Sequence, residues 1–173
     1  MVAARVTRTM LTPSLAALLL AADSSPAKTS VGGVGVFATL RVTVLCGELA
    51  STSLVRSLLT ALTRPGAKLA NLYSTSEAHD VALEPDLSAA LAVLTSSSSS
   101  SSSSPATTVI PCGSPYTHVD VLILDDEGKR VTSHDTPGWL HLSGAEGQLA
   151  AGYLGQSGIN PTRKSFRSID RTR

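Results

Sequence analysis

Aromatic side chains and net charge are both scarce in this chain. Phe, Trp and Tyr make up 3% of its 173 residues, which argues against the stacked aromatic platforms that bind single-stranded nucleic acid. The 14 Lys and Arg residues nearly balance the 13 Asp and Glu residues, so no overall field attracts nucleic acid or an anionic membrane. We therefore expect no nucleic acid and no membrane as a partner, and we expect a core built from Leu, Val and Ala.

The sequence also has few cysteines and no long apolar run. The sequence holds two cysteines, Cys46 and Cys112, and two widely spaced cysteines make neither a disulfide framework nor a four-ligand metal site. No apolar run approaches the roughly 20 residues that cross a bilayer. These absences are typical of a protein in a reducing compartment, and we expect it to be cytoplasmic.

A short apolar stretch near the N-terminus has two interpretations. Residues 15–22 follow Arg5 and Arg8, as in a weak signal or transit peptide. The same residues also suit an amphipathic helix with Thr12 as its N-cap and Pro13 as its first residue. The Thr-Pro-Ser start signal favours the helix.

The first part of the chain, residues 1–83, contains the pattern of a strand, a helix and a strand. Residues 40–46 (LRVTVLC) alternate and are β-branched, residues 51–62 repeat apolar side chains at the helical period, and residues 68–73 (KLANLY) form a second short strand. Pro65 and Gly66 end the helix. Such a βαβ unit predicts a parallel sheet with a right-handed crossover.

The segment 84–108 has a different composition. It contains nine consecutive serines, residues 96–104. Because such a tract cannot bury apolar surface to offset its ordering entropy, we predict a disordered insertion over residues 84–108.

The second part, residues 109–166, predicts a smaller antiparallel β portion. Residues 118–124 and 138–144 read as strands, and residues 125–128 (DDEG) supply turn chemistry in which Gly128 suits a positive φ. Residues 167–173 form a polar, basic tail without periodicity.

Several familiar site signatures are weak or missing. Residues 33–38 read G-x-G-x-x-A, but a Ser/Pro loop precedes them and a strand follows, whereas a dinucleotide site needs a strand before and a helix after. No G-x-S-x-G nucleophile elbow occurs. The four histidines do not pair at metal-ligand spacing, and solvated or hydrogen-bonded histidines are the favoured interpretation.

Residues 71–77 (NLYSTSE) are a stronger candidate. They lie at the carboxyl end of a predicted strand, where parallel α/β sheets bind ligands. An aromatic ring, several hydroxyls and a carboxylate could stack a base, bind phosphate oxygens and hold Mg²⁺. The alternative is an ordinary polar turn, since Ser, Thr and Asn are common in turns. The residues alone support the ligand site and the polar turn equally.

The same segment resembles the N-x-Y-G-[PS]-T-E motif of the adenylate-forming superfamily, which includes acyl-CoA synthetases, luciferase-like enzymes and the adenylation domains of nonribosomal peptide synthetases. Other segments resemble motifs of this family and follow its order, and the resemblance covers roughly residues 5–22, 40–83 and 109–166. These segments are residues 6–15 (VTRTMLTPSL), 40–49 (LRVTVLCGEL), 110–115 (IPCGSP), 121–125 (VLILD), 137–144 (PGWLHLSG), 151–154 (AGYL) and 161–166 (PTRKSF).

The resemblance implies a partial large domain of the α/β class, with a parallel βαβ portion followed by a smaller antiparallel portion. It also implies that ATP and Mg²⁺ activate a carboxylic or amino acid as an acyl-adenylate, which a carrier-protein or coenzyme A thiol then captures. By this resemblance Tyr73 would stack against adenine and Asn71 would lie beside the base. Ser76 would contact the α-phosphate, and Glu77 would hold Mg²⁺, so these two would be the catalytic residues.

The resemblance also implies a substrate pocket. Gly47 and Glu48 would lie in the turn that lines the adenine and acyl sites. The acyl pocket itself would be faced by Val44, Cys46, Leu72, Asp80 and Val81.

The chain departs from the family pattern in several places. Ser74 stands where the family has a glycine after the tyrosine, and we expect backbone strain there. Trp139 replaces a glutamate and Ala151 an arginine. The phosphate loop with its lysine, the ribose-binding aspartate and the catalytic lysine of the C-terminal domain have no counterpart in the sequence. We therefore expect weak nucleotide affinity and negligible turnover. The alternatives are a catalytically dead, partner-binding remnant of the fold or a truncated gene product.

Overall fold

The computed structural model describes residues 6–23, 35–96, 109–133, 136–144 and 148–150. Helices and strands alternate through the first half of this described part, and strands follow in the second half. In chain order the elements are β1 (Arg8–Leu11), α1 (Pro13–Asp23), β2 (Val42–Cys46), α2 (Thr52–Ala61), β3 (Lys68–Thr75), β4 (His79–Glu84), α3 (Leu87–Ser96), β5 (Ser114–Pro115), β6 (Val119–Leu124) and β7 (Trp139–Gly144).

The chain divides into two compact units. The first unit comprises Met1–Thr75 and Asp80–Thr117, and the second comprises Ser76–His79 and His118–Arg173. A five-stranded sheet has the order β1-β2-β3-β4-β5, and β6 and β7 form a separate two-stranded sheet. The mixed α/β class predicted from the sequence is therefore confirmed.

Parallel pairing joins the first three strands of the five-stranded sheet. β1 pairs with β2 and β2 pairs with β3 in parallel, and the helices α1 and α2 provide the two crossovers. The βαβ unit predicted over residues 40–73 is present, and β1 adds a second such unit that the sequence analysis did not include. At the far edge β4 and β5 are antiparallel.

α1 begins where Thr12 and Pro13 predicted, and α2 begins at Thr52, one residue after its predicted start. The Thr12 hydroxyl accepts a hydrogen bond from the Leu15 N–H at 3.3 Å, and Pro13 is the first residue of α1. The Ser51 hydroxyl accepts from the Leu54 N–H at 3.2 Å. Such caps satisfy backbone donors that the first helical turn leaves unpaired. Within the described part of the chain, no helix has the length and apolar character needed to cross a membrane.

The main core of the first unit is aliphatic, as the composition predicted. Side chains from the strands and the helices pack into one buried cluster, and Phe37 is fully buried with them. The strand residues of this cluster are Leu11, Leu45 and Leu69, and the helical residues include Ala16, Val55, Leu58, Leu87 and Leu91. This cluster fixes the positions of β2 and β3 against the helices.

The structure corrects two sequence predictions in the first unit. β3 continues to Thr75 and β4 begins at His79, so most of the predicted loop 71–77 is strand and only residues 76–78 form the turn. Ser74 therefore needs no glycine-like conformation. Among described non-glycine residues, His79 alone has a positive φ, 57°, so the strained backbone lies five residues further along.

The structure also corrects the first part of the predicted disordered insertion 84–108, which contains a helix. Residues 87–96 form α3, whose Leu87 and Leu91 are buried. The Asp86 carboxylate accepts hydrogen bonds from the N–H groups of Ser88 at 3.0 Å and Ala89 at 3.2 Å, and this N-cap starts the helix. Residues 97–108 lie outside the described part of the chain.

In the second unit the predicted hairpin is present. β6 and β7 pair in antiparallel fashion, from Val119 opposite Gly144 to Leu124 opposite Trp139. Gly128 has a φ of 81°, and its N–H donates to the Asp125 carbonyl at 3.1 Å, which confirms the predicted turn chemistry. The tail 167–173 lies outside the described residues.

Candidate functional site

The neighbouring strands β2 and β3 bring three predicted pocket residues together. Val44 lies opposite Ala70 and Cys46 lies opposite Leu72 in the parallel register. Because side chains alternate along a strand, Val44, Cys46 and Leu72 share one face of the sheet. By the same alternation Asn71 and Tyr73 lie on the other face, where Leu69 joins the core cluster.

Asn71 is a buried polar residue with a structural bond. Its side chain is 6% exposed, and its Nδ2 donates to the Pro111 carbonyl at 3.0 Å. A buried amide needs such a partner to offset its desolvation. The bond attaches the segment around Pro111, which resembles the family's proline–glycine motif, to β3. Tyr73, two residues further on, is half-buried.

Asp80 lies close enough to Cys46 to affect its ionisation. Burial raises the pKa of the half-buried Cys46 thiol, the negative charge of Asp80 raises it further, and a hydrogen bond with the Gly47 backbone opposes both. Asp80 is half-buried on β4, and the neighbouring Val81 is 1% exposed. The predicted pocket residues Cys46 and Asp80 are therefore near each other in the first unit.

This arrangement predicts a slow reaction of Cys46 with alkylating reagents. Only the thiolate is nucleophilic, so Cys46 should label at a higher pH in the folded chain than in the urea-denatured chain. Asp80→Asn should move that profile back toward lower pH, because it removes one cause of the raised pKa. Mass spectrometry of iodoacetamide-treated protein measures both profiles. Asp120→Asn, which removes a charge from an exposed position in the second unit, serves as the control and should leave the Cys46 profile unchanged. An identical Cys46 profile in the native and denatured chains would contradict the prediction.

Gly47 and Glu48 form the turn after β2. Gly47 has a φ of 88°, a conformation that glycine adopts without a steric penalty. The exposed Glu48 carboxylate accepts hydrogen bonds from the Ser14 hydroxyl at 2.7 Å and the Ser14 N–H at 2.9 Å, and these bonds lower the pKa of Glu48. Glu48 thus binds the first turn of α1, a role that sequence reasoning missed.

Gly113 is a second residue that the sequence analysis did not single out. Its φ is 79°, and a Cβ at this position would overlap the backbone of Leu83 and Glu84. β5 begins at the next residue and pairs with β4. The only available sequence signal was its place in the segment 110–115.

The turn at residues 76–78 belongs to the second unit, with Ser76 exposed and Glu77 half-buried. The Ala150 N–H donates to the Glu77 carbonyl at 2.7 Å, and the Gln148 side chain donates to the Ala78 carbonyl. Ser76 and Glu77 are therefore described separately from Asn71 and Tyr73, which belong to the first unit. Among the described residues, no group of three or more His, Cys, Asp and Glu side chains could hold a metal ion.

Comparison with known proteins gives one family and many similar structures. A family model described as "AMP-binding enzyme" matches residues 1–154. The N-terminal subdomain of NpsA from Klebsiella oxytoca, solved with 3-hydroxybenzoyl-AMSN, is 21% identical with a TM-score of 0.57 and aligns with 88% of this chain and 32% of its own. PA1221, a nonribosomal peptide synthetase protein containing adenylation and PCP domains, is 25% identical with a TM-score of 0.58 and aligns with 85% of this chain and 24% of its own.

The chain spans about a quarter to a third of the length of these structures. VinN gives a similar result. It is 20% identical with a TM-score of 0.55, and the alignment covers 81% of this chain and 29% of the VinN chain. A comparison with curated protein sequences gives no significant match.

Proposed function

Because the chain belongs to the AMP-binding enzyme family, whose model matches residues 1–154, we propose that it supplies part of a site at which ATP activates a carboxylic or amino acid as an acyl-adenylate. The observation that supports this most is the parallel register of β2 and β3, which aligns Cys46, the last residue of β2, with Leu72 of β3. Ligands bind beyond the carboxyl ends of the strands in open α/β sheets.

We propose a division of roles along β3 and the turn that follows it. Tyr73 stacks against the adenine ring, and Asn71 lies beside the base, where its bond to Pro111 also holds the neighbouring segment. The Ser76 hydroxyl donates to an oxygen of the α-phosphate. Catalysis of adenylate transfer consists mainly of such positioning and of charge neutralisation on phosphate oxygens.

The donor set at Glu77 fits Mg²⁺. Magnesium usually binds through one or two carboxylates and takes its other ligands from phosphates and water. A single carboxylate such as that of Glu77 suits an ion that arrives with the nucleotide. Bound there, Mg²⁺ supplies neutralising charge at the phosphates, and Glu77 holds it.

The acyl pocket combines apolar walls with one carboxylate. Val44, Cys46 and Leu72 provide the walls, and Asp80 on β4 lies near enough to Cys46 for its charge to affect that thiol. Val81 follows Asp80 on β4 and so lies on the opposite face by strand alternation. A substrate with an apolar body and an amino group matches such a lining, because a half-buried carboxylate attracts a cation. By its similarity to PA1221, which contains a PCP domain beside its adenylation domain, we propose that a carrier-protein thiol accepts the acyl group.

Isothermal titration calorimetry with ATP·Mg²⁺ tests this function. We expect weak binding by the chain and a rise of roughly tenfold in Kd for Tyr73→Ala, since base stacking contributes about 1–3 kcal/mol. Trp139→Ala, which removes an exposed aromatic ring from the second unit, is the matched control and should bind as the wild type does. Pyrophosphate exchange with a panel of carboxylic and amino acids should be negligible.

Each contrary result has a distinct meaning. Robust exchange would show that the chain is a competent enzyme. Absent ATP binding combined with cooperative thermal unfolding would refute the proposal and favour a partner-binding remnant of the fold. Non-cooperative unfolding would favour a truncated gene product.

A further inference from the structure

The last residue of β7 leaves space for a neighbouring side chain. Gly144 has no Cβ, and a Cβ built there would lie 2.6 Å from Cγ and 2.9 Å from Cβ of Gln148. It would also lie 2.9 Å from the His118 carbonyl oxygen. Non-bonded carbon atoms do not approach so closely in packed proteins, so the path of the Gln148 side chain depends on glycine at position 144.

That path leads Gln148 to the turn that carries Glu77. The Gln148 side-chain amide donates to the Ala78 carbonyl, and the Ala150 N–H donates to the Glu77 carbonyl at 2.7 Å. Two consecutive carbonyls of the turn are thus bound by one short segment of the same unit. Ala78 itself is 2% exposed, so its carbonyl depends strongly on a protein donor.

We infer that Gln148 is a positioning residue, which fixes the turn 76–78 and thereby sets the orientation of Glu77 toward the nucleotide-bound metal ion. This inference rests on the proposed function, because that function makes Glu77 the metal ligand. Gln148 touches neither metal nor nucleotide and acts through the backbone of the turn. Residues that orient a metal ligand in this way typically affect metal affinity by 10- to 100-fold when they are replaced.

Two variants remove the interaction in different ways. Gln148→Met keeps the length of the side chain and loses the donor, and Gly144→Ala keeps the donor and blocks its path. The measured quantity is the increase in ATP affinity that Mn²⁺ produces, relative to ATP affinity in the presence of EDTA. We expect both variants to lose about tenfold of the Mn²⁺-dependent increase. The metal-free affinity should fall less, because Ser76 in the same turn contributes only one hydrogen bond to it.

Gly128→Ala is the control for general destabilisation of the second unit. It forces alanine to a φ of 81° in open space and does not touch Gln148, so the Mn²⁺-dependent increase should survive. An unchanged increase in Gln148→Met and Gly144→Ala would overturn the inference. An equal loss of metal-free ATP affinity would also overturn it, because it would indicate a purely structural effect.

Hydrogen exchange at the Ala150 amide tests the inference without any ligand. This amide should exchange faster in Gln148→Met than in the wild type, because the turn that accepts its hydrogen bond is released. If the wild type shows no Mn²⁺-dependent increase, the proposed function fails, and the exchange rates then decide whether Gln148 fixes the turn. Equal exchange rates in the wild type and Gln148→Met would overturn the inference on their own.

Discussion

Gly113→Ala should lower the free energy of unfolding by about 3–5 kcal/mol, which is a large part of the total stability of a typical domain. Two costs combine at this position. The φ of 79° penalises any residue with a Cβ, and the added Cβ would overlap the backbone of Leu83 and Glu84. Backbone atoms of β4 cannot turn aside as a flexible side chain can, so relief requires separation of β4 and β5. Urea denaturation followed by circular dichroism measures the loss.

Gly66→Ala separates the two costs. Gly66 also lies in the first unit and has a φ of 73°, but a Cβ there would meet nothing within 4 Å. Its replacement should therefore cost only about 1–2 kcal/mol, the penalty of the left-handed conformation. Equal losses for the two variants would show that the contact with β4 carries no cost, and a loss below about 1 kcal/mol for Gly113→Ala would contradict the argument entirely.

The local parts of the fold were predictable because their causes are local. The start of α1 at Pro13 and the cap of α2 at Ser51 follow from hydrogen bonds within a few residues, and the turn at Gly128 follows from its φ requirement. The strand–helix–strand order likewise follows from periodicity. Each of these signals lies within a short stretch of sequence, so it could be recognised without knowledge of the tertiary packing.

The continuation of β3 to Thr75 was not predictable from the same evidence. Ser, Thr and Asn are common in turns, and residues 71–77 contain several of them. In the structure the strand pairs on both sides, since β3 lies between β2 and β4, and this ladder outweighs the weak turn preference of single residues. The segment 84–108 shows the opposite error, because its serines obscured the Asp86 cap and the buried Leu87 and Leu91 of α3.

The candidate site shows the same division between local and distant causes. The shared face of Val44, Cys46 and Leu72 follows from strand alternation and parallel register, and both can be anticipated from sequence. The hydrogen bond that Ser14 donates to Glu48 spans 34 residues, and the one that Gln148 donates to Ala78 spans 70. Such pairs depend on how distant segments meet, and no periodicity or short motif within either segment reveals them.

Asn71→Asp should destabilise the first unit by about 3–5 kcal/mol at neutral pH, with a clear recovery in acid. Aspartate has nearly the shape of asparagine, so packing in the core is preserved. The change replaces the amide that donates to the Pro111 carbonyl at 3.0 Å with a carboxylate oxygen that repels it, at a site only 6% exposed. An unpaired buried charge is among the costliest single changes in a folded protein.

The direction of the pH dependence follows from the folded-state pKa. Burial and the facing carbonyl raise the pKa of the introduced carboxyl above its unfolded value of about 3.9. The penalty is therefore absent below the unfolded pKa, because the neutral acid can donate a hydrogen bond to Pro111, and it grows as the pH rises through the folded pKa. Asn71→Leu, which also loses the donor but cannot ionise, should cost about 1–3 kcal/mol without added pH dependence. Urea titrations of both variants and the wild type between about pH 3.5 and 7.5 measure the difference, and a loss in Asn71→Asp that stays constant across this range would show that the Asn71 side chain does not face the Pro111 carbonyl.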